Sequence, residues 1–165
     1  MSTFITERRK NKIISVLKAR QKSLHIILEN IHDSHNVSAI FRTCDAVGVP
    51  KVSLVYTVDT FPKIGKKSSA SAFKWIGTDK YRTINDCYRT LRKQGFKIYA
   101  SAIMENAKNL YNLDFSQKSA IILGNEHCGI SDEALEFADE RFYIPMKGMV
   151  QSLNVSVAAA IILYE

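Results

Sequence analysis

The sequence predicts an α/β fold built on a mostly parallel central sheet with helices on its flanks. Three observations carry that expectation. Short apolar or β-branched runs alternate with segments of helical periodicity along all 165 residues. The connections between the apolar runs are long enough for crossovers, which parallel strands require. The length suits one domain, and no repeat, low-complexity tract or interdomain linker interrupts it.

Thr6 to Arg20 predicts a basic amphipathic helix, with Ile13, Ile14 and Leu17 as a narrow apolar stripe. Arg8, Arg9, Lys12 and Arg20 ride beside or opposite that stripe. Leu24 to Leu28 is a short apolar run and predicts a strand. Asn36 to Val47 has helical spacing through Val37, Ile40, Phe41, Cys44 and Val47, and Gly48 is a natural stop. Lys51 to Tyr56 is β-branched-rich and strand-like. Thr57 to Ala72 predicts a polar loop around Pro62, Gly65 and a Lys-Lys-Ser-Ser-Ala-Ser tract. Thr83 to Gln94 predicts a helix with Thr83 and Asp86 as capping residues. Phe96 to Ala102 and Ser119 to Leu123 predict strands, the second ending in Gly124. Ser131 to Ala138 predicts a helix with Ser131 as N-cap and acids in its first turn. Phe142 to Ile144 predicts a strand closed by Pro145. Leu153 to Tyr164 predicts an apolar helix, with Val157 to Leu163 expected to be buried.

Composition narrows the function classes. The chain is 46% hydrophobic and 24% charged, which suits a soluble globular protein. No run approaches the ~20 apolar residues of a membrane span, and no signal-type stretch follows the basic N-terminus. A cytoplasmic protein is expected. Cys44, Cys87 and Cys128 are odd in number and form no CxxC pair, so neither a disulfide framework nor a thiolate zinc site is suggested. His32 and His35 form His-x-x-His without a third ligand cluster, and no metal is expected. No GxSxG elbow marks a hydrolase. The net charge of +7 favours an anionic partner. Met1 to Lys22 holds seven Lys or Arg against Glu7 alone, and further cations cluster at Lys63, Lys66, Lys67, Lys74, Lys80 and Arg82. Glu126 to Glu140 holds six acids and no Lys or Arg.

In parallel α/β sheets ligands bind at the carboxyl ends of the strands. That rule points to Asn30–Asn36, Ser101, Gly124–Gly129 and Pro145–Asn154, where polar residues and glycines concentrate. Asn36 and Arg42 can converge only if Asn36 lies at a helix mouth, as an N-cap or loop residue. Arg42 is flanked by Ile40, Phe41 and Cys44, so it is expected to be partly buried against an anion. An Asn cap with a structural arginine ion pair explains those two residues equally well. Two glycines frame the turn Leu123-Gly124-Asn125-Glu126-His127-Cys128-Gly129, which lets backbone approach a ligand. Polar Ser152 and Asn154 head an apolar helix and need partners from a loop or a ligand.

Taken together these segments resemble the three motifs of the SpoU/TrmH group of SPOUT methyltransferases. The first is N-x-x-x-x-x-R-T at Asn36–Thr43. The second is L-G-x-E-x-x-G at Leu123–Gly129, and the third is I-P-M-x-G-M-V-Q-S-L-N-V-S-V-A-A-A at Ile144–Ala160. The resemblance implies a deep trefoil-knotted domain over residues 23–165, a homodimer, and a basic RNA-binding helix over 1–22. General topology rules would not have predicted the knot. It also implies S-adenosylmethionine as cofactor, held by Ser101, Leu123, Gly124, Ile144, Met146 and Leu153. Arg42 would help activate a ribose 2′-hydroxyl, while Asn36, Glu126, Ser152 and Asn154 position the substrate. Arg8, Arg9, Lys12 and Arg20 would contact RNA. Within the group the chain looks most like enzymes that methylate guanosine 18 in the tRNA D-loop. Another tRNA or rRNA ribose is the alternative of the same chemistry, and a non-catalytic RNA-binding module the alternative of another class. The group's members usually continue past the last motif with more basic helix, whereas this sequence stops at Glu165, a departure that bears on RNA affinity.

Overall fold

The computed structural model describes residues 5–58, 60–62, 65, 69 and 72–165. Lys63, Lys66 and Lys67 of the expected basic cluster lie outside the described residues. In chain order the elements are α1 (Glu7–Lys18), β1 (Leu24–Glu29), α2 (Ser34–Val47), β2 (Lys51–Val55), β3 (Gly77–Tyr81), α3 (Ile84–Lys93), β4 (Lys97–Ser101), β5 (Lys108–Asn109), β6 (Ser119–Leu123), α4 (Asp132–Glu136), β7 (Glu140–Tyr143) and α5 (Val155–Tyr164). Short 3-10 turns lie at Ala72–Lys74 and Leu110–Asn112.

The strands form one sheet in the order β3-β2-β1-β6-β4-β7-β5, and every pairing is parallel. The central contact sets Leu24 against Ser119 and Leu28 against Leu123. Such a sheet needs cover on both faces, which explains why its inner strands read as continuous apolar runs. Ile26 and Leu28 pack with Val37, Ile40 and Phe41 of α2 and with Ala159, Ile162 and Leu163 of α5. Ile27, between them on the other face, packs with Cys87, Tyr88 and Leu91 of α3 and Ala134 of α4. The chain leaves the centre through β1, β2 and β3. It crosses to β4 and β5 on the other side, then returns to the gap between β1 and β4 as β6. The carboxyl ends of β1, β6, β4 and β7 therefore stand side by side where the strand order reverses.

Several expectations are corrected. β3 and β5 were not foreseen. Gly-Thr-Asp-Lys-Tyr has no apolar alternation because β3 is an edge strand, paired on one side and largely exposed. The stripe on α1 meets no core: none of its residues is buried, and Ile14 and Leu17 are 41% and 62% exposed. α1 is held at its exit instead. Gln21 N–H donates to the Gly48 carbonyl at 2.8 Å, and Gln21 Nε2 donates to the Val47 carbonyl at 2.8 Å. Gly48 has φ +85°, and a Cβ there would lie 2.8 Å from the Ala19 carbonyl oxygen. α5 is not wholly buried either, since Val157 is 48% exposed and Tyr164 71%. Its apolar composition exceeds what α2 and the sheet can cover from one side.

Candidate active site

At that reversal a pocket of about 660 Å³ opens. A cavity of this size accepts a nucleoside-sized ligand. Ser101, Leu123, Gly124, Ile144, Met146 and Leu153, far apart in sequence, all line it. Leu123, Ile130, Leu135, Ile144 and Val155 supply apolar wall, while Ser101, Glu126, Ser152 and Asn154 add polar groups. Such a lining suits an aromatic base with a polar tail.

The turn after β6 is shaped for close backbone approach. Asn125 and Gly129 exchange backbone hydrogen bonds of 2.9 Å in each direction, closing a tight loop. Gly129 takes φ +73°, and a Cβ on Gly124 would sit 2.3 Å from the Gly129 carbonyl carbon and oxygen. Only glycine fits at 124. Asn125 Oδ1 accepts from the amides of His127 and Cys128 at 2.8 and 3.1 Å, rigidifying the crest.

Two adjacent residues at the end of β1 grip this loop at both ends. Asn125 Nδ2 donates to the Asn30 carbonyl at 2.7 Å, and the Ser131 amide donates to Glu29 Oε2 at 3.0 Å. Asn30 sits at φ 47°, a left-handed conformation asparagine tolerates, and its side chain brackets Thr57. Glu29 is 1% exposed, and its Oε1 has no hydrogen-bond partner among the described residues. Burial pushes its carboxyl above the ordinary range, against the pull of the Ser131 hydrogen bonds. Sequence reading missed Glu29 and Asn125 as positioning residues. The available signal was a carboxylate ending an otherwise apolar strand.

Glu126 joins the loop to α2. Its carboxylate accepts from the amides of His32 and Asp33 at 3.0 and 3.4 Å and from Asn36 Nδ2 at 2.7 Å. A carboxylate at a helix entrance satisfies free amides and the helix dipole together. Partial burial alone would raise its pKa, but the bonds from Asn36, His32 and Asp33 outweigh that and hold it below the ordinary value. Asn36 Oδ1 in turn accepts from Asn154 Nδ2 at 3.1 Å. Asn154 Oδ1 caps α5, accepting from the Ser156 amide at 2.9 Å and from its hydroxyl at 2.6 Å. Glu126, Asn36 and Asn154 thus form one chain of hydrogen bonds joining the turn after β6, the first turn of α2 and the cap of α5. Asn36 lies in the first turn of α2 rather than at its cap, which Asp33 provides by accepting from the His35 amide at 2.7 Å. Ser152 is exposed at the pocket wall.

Two arginines depart from expectation. Arg42 is exposed, makes no hydrogen bond or ion pair with the described residues, and is not among the residues lining the pocket of its own chain. Its neighbours Ile40 and Cys44 face the core, but each lies two residues away, about 200° round the helix. Arg20 is the reverse case. Its side chain is 6% exposed and donates to the Val49 carbonyl at 2.8 Å, to Asp45 at 3.0 Å and to the Trp75 carbonyl at 3.0 Å. It fastens the end of α1 to the protein and is not free for phosphate. Arg8, Arg9 and Lys12 are exposed. Among the described residues no cluster of His, Cys, Asp and Glu could hold a metal ion, and no helix is long and apolar enough to cross a membrane.

Residues 23–164 match the SpoU rRNA Methylase family. The chain is 44% identical over 160 residues to a tRNA (guanosine(18)-2′-O)-methyltransferase of Thermus thermophilus, covering 97% of this chain and 82% of the relative. A relative of the same name from Escherichia coli is 42% identical over 154 residues, covering 93% and 67%. The crystal structure of the Aquifex aeolicus TrmH/SpoU tRNA modifying enzyme superposes with a TM-score of 0.90 at 37% identity, covering 96% of this chain and 80% of that one.

Proposed function

The chain belongs to the SpoU rRNA methylase family, and from that premise we propose that it methylates the ribose 2′-oxygen of guanosine 18 in tRNA, using S-adenosylmethionine. The observation that carries this reading is the convergence of Ser101, Leu123, Gly124, Ile144, Met146 and Leu153 on one pocket at the strand ends. Held by Ser101, Leu123, Gly124, Ile144, Met146 and Leu153, S-adenosylmethionine would supply an electrophilic sulfonium methyl group, with the neutral thioether as leaving group and water as the destination of the ribose hydroxyl proton. The protein's part is positioning and charge placement. The glycine-framed turn and the apolar wall orient the donor. The Glu126–Asn36–Asn154 chain, with Ser152 beside it, fixes the mouth against which the ribose lies. Arginine keeps its proton in proteins, so Arg42 acts as an electrostatic partner of the developing alkoxide, not as a base.

Arg42 does not line its own chain's pocket, so this reading includes a homodimer in which Arg42 of one protomer faces the pocket of its partner. The half-exposed apolar side of α5, with Val157 and Tyr164, supports such an interface. It also includes a trefoil path, supported by the placement of residues 151–155 beside the loops after β4 and β6. Residues 1–22 form an RNA-binding extension, in keeping with an α1 that contributes nothing to the core. The test is incubation of the purified protein with total tRNA and rRNA and a labelled methyl donor, followed by mass-spectrometric mapping. Label at guanosine 18 is expected; label confined to rRNA, or absent from RNA, sinks the reading.

A further inference from the structure

At the outer edge of the sheet β3 ends in a pair of cations that the pocket does not use. Lys80 Nζ lies 5.0 Å from the centre of the Phe61 ring, and the Arg82 guanidinium carbon lies 4.5 Å from it. One aromatic ring therefore gathers two positive charges. The ring leans on Tyr56, with centroids 5.6 Å apart. Tyr56 is buried; its hydroxyl donates to the Ile31 carbonyl at 2.7 Å, and its own carbonyl accepts from Arg82 at 3.0 Å. The cluster is thus braced against the turn whose next amides, at His32 and Asp33, bind Glu126.

Charge along this edge is uneven. Lower down, Lys51 and Asp79 pair at 2.7 Å and neutralise one another. Lys80 at the top is exposed and has no carboxylate partner among the described residues. β2 and β1 separate β3 from β6, so the cluster stands roughly 14 Å from the near wall of the pocket, at Leu123, at ~4.8 Å per strand. It lies at the same end of the sheet, within reach of a short stretch of RNA running past the target ribose.

We propose that Phe61, Lys80 and Arg82 form a contact site for the RNA strand flanking the methylated nucleotide, with the cations on phosphate and the ring braced beneath them. The proposal rests on the RNA methyltransferase reading above. Lys80→Glu tests it, because Arg82 also braces Tyr56 and its loss would confound folding. Lys118→Glu, at the amino ends of the strands, is the charge-matched control. The expected result for Lys80→Glu is a tRNA KM raised about tenfold, kcat at saturating tRNA unchanged, and a binding salt slope shallower by about one. Calorimetry of S-adenosylmethionine and a thermal melt stay as in the wild type. A wild-type KM in Lys80→Glu overturns the proposal and leaves the methyltransferase reading intact. An equal loss in Lys118→Glu also overturns it, by reducing the effect to net charge. A wild-type protein that neither binds nor methylates RNA sinks both.

Discussion

Glu126, Asn36, Gly124 and Arg42 show how differently single residues reveal themselves. Gly124 was legible because two glycines framed a strand-to-helix turn, and the 2.3 Å approach of Gly129 gives the reason. Gly124→Ala is expected to cost about 2 kcal/mol of stability through overpacking and to abolish cofactor binding. A melting temperature and a calorimetric titration like the wild type would contradict this. Arg42 was legible as a residue type and illegible in orientation. Its apolar neighbours suggested burial, whereas the helical phase turns it outward. Arg42→Ala should lose methylation at least a hundredfold while cofactor affinity stays nearly unchanged. Mixing the inactive Arg42→Ala and Gly124→Ala chains should restore measurable turnover if one protomer's arginine serves the other's pocket. Continued silence of the mixture, with heterodimers demonstrated, would place Arg42 elsewhere.

At the scale of elements, those that bury a face on both sides of the sheet were readable, because their apolar runs have no other use. β6 was foreseen at its exact bounds. β3 was not, since an edge strand with one paired side needs no apolar alternation. α1 was foreseen as a helix but not as one standing away from the core. The contacts that lock the loops join residues 90 or more positions apart, such as Asn36 with Glu126 and Glu29 with Ser131. No local pattern announces them. The independence of α1 has a measurable side: replacing Arg8 and Arg9 by Gln should leave the melting temperature unchanged and weaken tRNA binding several-fold, with a shallower salt dependence. Salt-independent binding by the wild type would remove α1 from the RNA contact.

Across the whole molecule, the parallel sheet forces some polar side chains into the interior. His25 on β1 is 4% exposed, shares a 2.8 Å hydrogen bond with Ser53 Oγ, and meets Phe96 edge-on. Burial lowers its pKa from 6.5 to about 4, with Asp79 opposing and Lys51 assisting. The neutral form is therefore native, and the unfolded chain takes up the proton first. Stability present above pH 6.5 should decline as pH falls toward 4, by up to roughly 3 kcal/mol from this group. His25→Gln, which can keep a bond to Ser53, should show a smaller fall in melting temperature over that interval. An unchanged slope would mean the acid sensitivity originates in other groups.

The linkage from Glu126 through Asn36 to Asn154 has a dynamic corollary. Amides at His32, Asp33 and Ser156, protected by members of one relay, cannot each open alone without leaving a partner stranded. Their deuterium uptake should follow a shared time course, and occupancy of the turn after β6 should slow all three together. If Ser156 exchanges freely while His32 remains protected, the relay breaks into independent local hinges.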